Sequence, residues 1–462
     1  MITRHFIDAV KDGNTRRIHY RRAGSGPPLL LVHQSPRSSK EYEALMKKWS
    51  AHFTCIAPDT PGFGQSVPLP GNHEINEYAD AIIEFLDAIG IEKCAAYGFH
   101  SGGIILVTAV KRHPNRITTL AVGGYAIWSK EEAALFGEKY LPEFHPSSYG
   151  EHLTWLWNRI LEQSWFFPWF ATDDHHRLSF AHDDPTRVDA VIRDMLDAGN
   201  AYQAGYGAVL RAPRDIPEIN AEMPPCLISA YDGDPLQEHI DRLGKMPPTW
   251  SALKVATPEE HLMVSLTHLR EMQQVACCPL NQAHDEGFIE IETEQFTGLI
   301  HWRGNQGACA LVLHAPGSAI DEAISSDSIA IDLPGHGMSD DWTGEPPVTW
   351  DEWQAVINQV ATKLETKSLL FANPPKGDPE LLYPDLSPDR FGNYLTKAWQ
   401  IVRAMEIYEP WYKADNLHNR AFDQTVLLPE KLAEKHLELL NARAAKQYHL
   451  ALNTRQRTND GN

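Results

Sequence analysis

The chain has 462 residues, 43% hydrophobic and 22% charged, with a formal net charge of −20. That length predicts about two to four domains with sizeable cores, and the acidic balance argues against nucleic acid or an anionic membrane as partner, since both need a basic face. No apolar run approaches membrane-spanning length, the start Met1 to Asp8 has no apolar signal core, and the six cysteines follow no metal spacing. The expectation is a cytoplasmic protein with reduced thiols, no metal and no cofactor.

Residues 16–70 read as the first half of an α/β domain. Leu29–Val32 is wholly apolar, as a buried parallel strand is, and ends in His33-Gln34-Ser35-Pro36. Tyr42–Trp49 has helical spacing. Phe53–Ala57 is the next strand and runs into Asp59-Thr60-Pro61-Gly62-Phe63-Gly64-Gln65-Ser66. Tyr78–Ile89 is an amphipathic helix, with Tyr78, Ile82, Phe85, Leu86 and Ile89 on one face. Strands alternating with helices predict a mostly parallel sheet.

The stretch Ala95-Ala96-Tyr97-Gly98-Phe99-His100-Ser101-Gly102-Gly103 then reads as a small-residue strand, a sharp turn and an apolar helix. Small residues two before and two after the central one are what a strained strand-to-helix turn requires, because strand and helix pass closely there. The pattern is that of a nucleophile elbow, G-x-S-x-G, with His100 in the serine's place.

The order H-x-x-P, then D-x-P-G-x-G-x-S, then G-x-(nucleophile)-x-G-G resembles the α/β-hydrolase superfamily, and within it the branch of proline iminopeptidases, haloalkane dehalogenases and carbon–carbon bond hydrolases. The resemblance covers residues 16–272 and implies a complete α/β-hydrolase domain at 1–275 with a helical lid at about 128–220. Gln34 stands where the family usually has glycine. The resemblance further implies an oxyanion hole from the backbone N–H groups of Ser35 and Ser101, and a catalytic acid and histidine later in the chain. Cys226–Tyr231 reads as a strand leading to Asp232-Gly233-Asp234-Pro235, like the family's acid turn. Asp234 aligns with the acid, and Asp232 is the second choice. His261, after the short strand Leu253–Val255, is the expected histidine and the expected hydrogen-bond partner of the acid. Asp234 as a helix cap and His261 as a surface residue is the alternative.

The lid carries Trp155, Trp157, Trp165, Phe166, Phe167, Trp169 and Phe170, which either form its own core or line a pocket. Pro168 is expected to break its helix. His33, Gln34, Trp128 and Trp157 are the expected substrate-binding residues.

The chain also repeats itself. Tyr149-Gly150-x-x-Leu153-Thr154-x-x-Trp157 recurs as Phe391-Gly392-x-x-Leu395-Thr396-x-x-Trp399, followed by Pro168/Pro410, Trp169/Trp411, Asp173/Asp415, His176/His418 and Phe180/Phe422. Asp59-x-Pro61-Gly62-x-Gly64-x-Ser66 recurs as Asp332-x-Pro334-Gly335-x-Gly337-x-Ser339, Ile18–Arg21 as Ile300–Arg303, and His33 as His314. Residues 288–462 therefore read as a partial second copy with its own lid helices, joined by a linker near 273–288. Ser66 and Tyr149 are 83 residues apart, but Ser339 and Phe391 only 52, a loss of about one strand–helix unit. The strand Ser368–Phe371 runs into Pro374-Pro375, so the copy has no nucleophile turn. The polar tail from Asn453 is expected to be disordered.

The functional expectation is an enzyme acting on a small apolar carbonyl compound, hydrolysing an ester or an activated carbon–carbon bond. His100 acts there as acid–base or as a nucleophile giving an acyl-imidazole, or Ser101 acts from a shifted turn. The alternatives are a cofactor-free lyase, decarboxylase or isomerase at the same pocket, and a non-catalytic binding protein. The two copies are expected to form an internal pseudo-dimer, or the chain a homodimer.

Overall fold

The computed structural model describes residues 1–11, 13–136, 139–179, 181–271, 280–320 and 327–460. Residues 273–279 of the expected linker, and Phe180, lie outside them. The chain divides into two units, Met1–His145 with Leu156–Gln282, and Pro146–Trp155 with Ala283–Asn462. The first unit thus differs from the expected first domain, 1–275, in two respects: it extends to Gln282, and residues 146–155 group with the second.

In chain order the elements are β1 (Ile2–Lys11), β2 (Asn14–Ala23), β3 (Pro28–Val32), α1 (Glu43–Trp49), β4 (Thr54–Pro58), α2 (Ile75–Ile89), β5 (Cys94–Phe99), α3 (Ser101–Arg112) and β6 (Ile117–Gly123). Then follow α4 (Lys130–Phe136), α5 (Glu151–Gln163), α6 (Pro185–Ala198), α7 (Ala201–Arg211), β7 (Cys226–Tyr231), β8 (Trp250–Val255) and α8 (Pro258–Glu271). The second unit has β9 (Glu286–Glu292), β10 (Thr297–Gly304), β11 (Ala310–Leu313), β12 (Ser328–Ile331), α9 (Trp350–Lys363), β13 (Ser368–Phe371), α10 (Pro379–Leu382), α11 (Asn393–Ile407), α12 (Pro429–Leu440) and α13 (Ala445–Asp460). No helix among the described residues is long and apolar enough to cross a membrane.

The first unit is built on one sheet in the order β1-β2-β4-β3-β5-β6-β7-β8. From β4 onward every pairing is parallel, and β1 and β2 form an antiparallel hairpin at one edge. β3 and β4 are buried along their whole length, which is why they read as unbroken apolar runs. One face packs α2 and α3, through residues such as Phe85, Leu86, Ile104 and Val107. The other packs α1 and α8, through Met46, Trp49 and Leu269. Each such aliphatic or aromatic side chain contributes about 1.5–3 kcal/mol by its burial.

The second unit has a sheet in the order β13-β11-β12-β10-β9. Read from β9, its pairings run antiparallel, antiparallel, parallel, parallel, as those of β1-β2-β4-β3-β5 do. The register carries the match to single residues. Val32 pairs with Gly98 in one sheet and Leu313 with Phe371 in the other. Counting on from there, Asn373 falls at the place of His100, and Pro374-Pro375 at the place of Ser101-Gly102. Phe371 at the place of Gly98, followed by two prolines, leaves neither the space nor the backbone donors for an elbow and its helix.

The D-x-P-G-x-G-x-S repeat is a structural knot. Asp59 accepts from His19 Nδ1 (2.8 Å) and from the N–H groups of Ser39 (2.8 Å) and Gln65 (2.9 Å). Ser66 Oγ accepts the His19 N–H at 3.0 Å, and His33 Nε2 accepts the Thr60 N–H at 2.9 Å. In the second unit Asp332 accepts from His301 Nδ1 (2.8 Å), Ile320 N–H (3.1 Å) and Met338 N–H (2.9 Å). Ser339 and His314 there repeat the roles of Ser66 and His33. Gly64 and Gly337 are obligatory: both have positive φ, and a Cβ would come within 2.2 Å of the Asp59 carboxylate or 2.3 Å of the Asp332 carboxylate.

The two knots differ in charge. Burial alone lowers the His301 pKa, but Asp332 on one nitrogen and Glu286 Oε1 at 3.1 Å on the other outweigh it, so the net shift is upward. At the register position of Glu286 the first unit has Arg4, paired with Arg21. There burial outweighs Asp59, both arginines add to it, and the His19 pKa is lowered. His301 therefore contributes stability that is complete below pH ~6.5 and is lost as pH rises through its raised folded value. His19 contributes stability present above ~6.5 and lost as pH falls through its lowered one. Nitrogen-15 histidine titrations are expected to show both ring nitrogens of His301 protonated at pH 6, and His301 losing its proton at a higher pH than His19. A neutral tautomer at His301 would count against the two-carboxylate reading, and Glu286→Gln should convert His301 toward the His19 pattern. Alanine at Gly64 or Gly337 should cost about 1–3 kcal/mol from backbone strain alone, with the carboxylate clash added, measurable by urea unfolding.

Candidate active site

The elbow forms where the sequence places it, between β5 and α3. His100 has φ 48° and ψ −113°, a conformation a non-glycine residue holds only when its surroundings impose it. Its neighbours impose it by contact. A Cβ on Gly98 would lie 2.6 Å from the Gly102 backbone, and one on Gly102 would lie 1.9 Å from the Val32 carbonyl oxygen. The His100 N–H donates to the Gly123 carbonyl at 2.7 Å, tying the turn to the end of β6.

His100 Nε2 lies 3.1 and 3.2 Å from the two oxygens of Asp234. The Asp234 side chain is fully buried and His100 is about a quarter exposed, at 0% and 25%. Burial works to raise the Asp234 carboxyl. His100 and the Leu236 N–H, which donates to Oδ1 at 2.8 Å, outweigh it and hold the group below the ordinary carboxylate range. An ionised carboxylate only accepts, so Nε2 donates the hydrogen, and in a neutral imidazole the lone pair would then be on Nδ1. Phe99 stacks on the imidazole, with ring centroids 4.1 Å apart.

His261 does not join Asp234 in the expected pair. It sits in the first turn of α8, with Nε2 2.9 Å from the Tyr97 hydroxyl and Nδ1 2.8 Å from Ser229 Oγ. Both ring nitrogens are engaged by neutral hydroxyls, and burial lowers its pKa to about 4. The reason lies at the elbow: an imidazole at the nucleophile position reaches the acid by itself and takes the place a triad histidine would occupy. Asp232, the second choice, is exposed and accepts from Gln237 Nε2 at 2.6 Å.

The remaining expected residues divide. The Ser35 N–H donates to Ser101 Oγ at 2.5 Å, so it is already engaged, whereas the Ser101 N–H opens α3 and has no carbonyl four residues back. His33 lines neither of the two pockets described below. It is buried, donates from Nδ1 to the Gln34 carbonyl and accepts from Thr60, as part of the knot. Gln34 uses its N–H and side-chain amide on the Glu41 carboxylate at 2.7 and 3.1 Å. Trp157, on α5, is buried and lines neither pocket described next. Trp128 does line them.

Two pockets meet at this centre. A small one of about 50 Å³ is bordered by His100, Ser101, Tyr140, Tyr206 and Arg214, with Trp128, Phe136 and Phe167 as apolar wall. A larger one of about 410 Å³ shares that wall and reaches Asp234, His239 and His176. Phe167 follows the break after α5, in the loop that contains Pro168. Among the described residues no group of three or more side chains could hold a metal ion.

Sequence reasoning missed Gly124, Phe136, Tyr140, Tyr206 and Arg214. Gly124 had a readable signal, a Gly-Gly pair closing an apolar strand. It has φ 59°, and a Cβ there would lie 2.7 Å from His100 Nε2 and 2.9 Å from Asp234 Oδ2. Its missing side chain is the space in which the pair forms. Gly124→Ala is expected to leave the melting temperature within a few degrees while lowering turnover to the level of Asp234→Asn. Gly102→Ala, against β3's backbone, should instead prevent folding, and full activity in Gly124→Ala would remove the spacing argument.

Residues 27–145 match the sequence model of a family described as "alpha/beta hydrolase fold". Haloalkane dehalogenase 2 of Mycobacterium tuberculosis is 33% identical over 125 residues, which are 27% of this chain and 44% of that protein. An uncharacterized hydrolase of Saccharomyces cerevisiae is 34% identical over 122 residues, 26% of this chain and 41% of that one. The chain thus spans less than half the length of these curated relatives. Among solved structures, an esterase from Thermogutta terrifontis aligns at 19% identity over 58% of this chain and 98% of its own, with a TM-score of 0.43. With the strand order and the elbow, the family match places the first unit of this chain in the alpha/beta hydrolase superfamily.

Proposed function

We propose that the first unit is a hydrolase acting on a small apolar carbonyl compound, an ester or an activated carbon–carbon bond, with His100 as general base and Asp234 as its orienting acid. The observation that carries the reading is the His100–Asp234 contact at a strained elbow opening on an aromatic-lined cavity. Asp234 fixes the tautomer and stabilises the imidazolium as it forms, so that Nδ1 is the basic atom. Nδ1 takes a proton from water, the hydroxide adds to the substrate carbonyl, and the Ser101 N–H stabilises the oxyanion. The imidazolium then returns the proton to the leaving group, so the base is regenerated. Direct attack by Nδ1, giving an acyl-imidazole that water cleaves, uses the same atoms and differs only in the intermediate.

One observation favours a second reading. The Ser35 N–H, which a two-donor oxyanion hole needs, is engaged by Ser101 Oγ. A cofactor-free lyase or isomerase, in which Nδ1 moves a proton on carbon beside a carbonyl, depends less on that hole. The second unit, residues 288–462, is on this proposal a degenerate copy of the fold with no reaction of its own, since its strand order repeats and its elbow is gone.

A panel of small esters and 1,3-dicarbonyl compounds in deuterated water separates the readings: hydrolysis products support the first, deuterium uptake without cleavage the second. His100→Ala and Asp234→Asn should each lower the rate by about 10²–10⁴. His100→Ser should gain no esterase activity, because His261 is held by Tyr97 and Ser229 and cannot activate the serine. Undiminished turnover in His100→Ala would sink the catalytic role.

A further inference from the structure

Arg214 follows α7 and borders the same small cavity as His100. Its Nη2 donates to the Val209 carbonyl at 2.6 Å. Its Nε and Nη1 are sealed from solvent and have no hydrogen-bond partner among the described residues. The charged neighbour in sequence, Asp215, is engaged by Lys111 at 2.6 Å. The groups that face Arg214 most strongly are the phenols of Tyr125 and Tyr206, which burial keeps neutral. A guanidinium is always charged and presents five donors, so a buried one with two idle nitrogens and no anion is costly unless something completes it. A second idle donor borders the cavity: Trp128 Nε1–H, also buried and without a partner. The small pocket therefore has, beside the imidazole of His100 and the hydroxyls of Ser101, Tyr140 and Tyr206, a cation and an indole donor on its border, and no residue bordering it carries negative charge.

We propose that Arg214 is the specificity-determining residue of this site, and that the substrate is a small apolar carbonyl compound bearing a carboxylate, which Arg214 receives on Nε and Nη1 with Trp128 Nε1 as an additional donor. The pair Nε/Nη or Nη/Nη of a guanidinium matches the two oxygens of a carboxylate. Arg214 and His100 border one cavity of about 50 Å³, so an acid group held by the arginine places the adjoining carbon framework against the imidazole. The apolar remainder meets Trp128, Phe136 and Phe167, the wall shared with the larger pocket. This inference rests on the proposed site of His100 but not on its chemistry.

The test reads binding without turnover. Acetate, butyrate and benzoate, and their matched amides, are titrated against the full chain by calorimetry and by thermal shift. At least one carboxylate is expected to bind about 10- to 100-fold more tightly than its amide, the range of a charge-assisted contact. Arg214→Gln should erase that preference, and Arg214→Lys should retain part of it. In the ligand-free chain Arg214→Met should melt no lower than the wild type, since it removes an uncompensated buried charge. The proposal is overturned if no carboxylate is preferred over its amide, or if the preference survives in Arg214→Gln. It is equally overturned if Arg214→Met loses several degrees of melting temperature, the mark of a structural arginine. A chain inert toward every ester that keeps the Arg214-dependent preference overturns the catalytic reading and supports this one. An active chain indifferent to Arg214 does the reverse.

Discussion

A buried carboxylate holds each unit of this protein together at the same point. Asp59 and Asp332 each join the inner strand of the antiparallel hairpin, the loop after the first parallel strand and their own glycine-rich turn, through one imidazole and two backbone amides. Removing the imidazole from such a buried carboxylate costs about 1–3 kcal/mol or more, because the carboxylate loses a hydrogen bond and has no water to replace it. The knot explains why aspartate, glycine and serine recur together. Aspartate supplies the acceptor, the second glycine leaves room for it, and serine receives the histidine N–H. It also keeps His33 out of the chemistry, since His33 anchors the turn that follows the carboxylate.

On the strand next to that knot, the two units part ways over a few residues. In the first, glycines at 98 and 102 let strand and helix cross closely, and the turn between them holds an imidazole in a strained conformation. In the second, a phenylalanine and two prolines stand at the matching register, and the chain leaves the sheet. The difference is steric: one copy has room for a turn that aims a side chain, and the other has none.

Histidine at the elbow reorganises everything downstream of it. A serine there needs a second residue to take its proton. An imidazole needs only an acid to orient it, and Asp234 reaches it directly across the gap that Gly124 leaves open. His261 is then free to be held neutral between two hydroxyls, a packing role beside β5 and β7. The aromatic wall of Trp128, Phe136 and Phe167 encloses the imidazole. Arg214 and Trp128 add unpartnered donors to that border, beside the hydroxyls of Ser101, Tyr140 and Tyr206.

The sequence by itself determined the parallel sheet and the elbow, and it supplied the proposals of a duplication and of His100 and Asp234 as site residues. Apolar runs, glycine spacing and recurring motifs are local features whose physical consequences follow from a few neighbouring residues. It also carried the absence of an elbow in the second copy, since Pro374-Pro375 cannot donate the amides a helix start needs. What only the tertiary structure decided was partnership. Asp234 meets His100 and not His261, because the choice depends on which side chain crosses the space above Gly124, 134 residues along the chain from one partner to the other. His33 is held in the knot and Trp157 is buried on α5 for the same reason: a polar or aromatic residue near a motif looks alike in sequence whether it faces a pocket or the interior. Arg214 carries no motif at all, and its idle nitrogens exist only because the fold seals them beside the cavity that His100 borders.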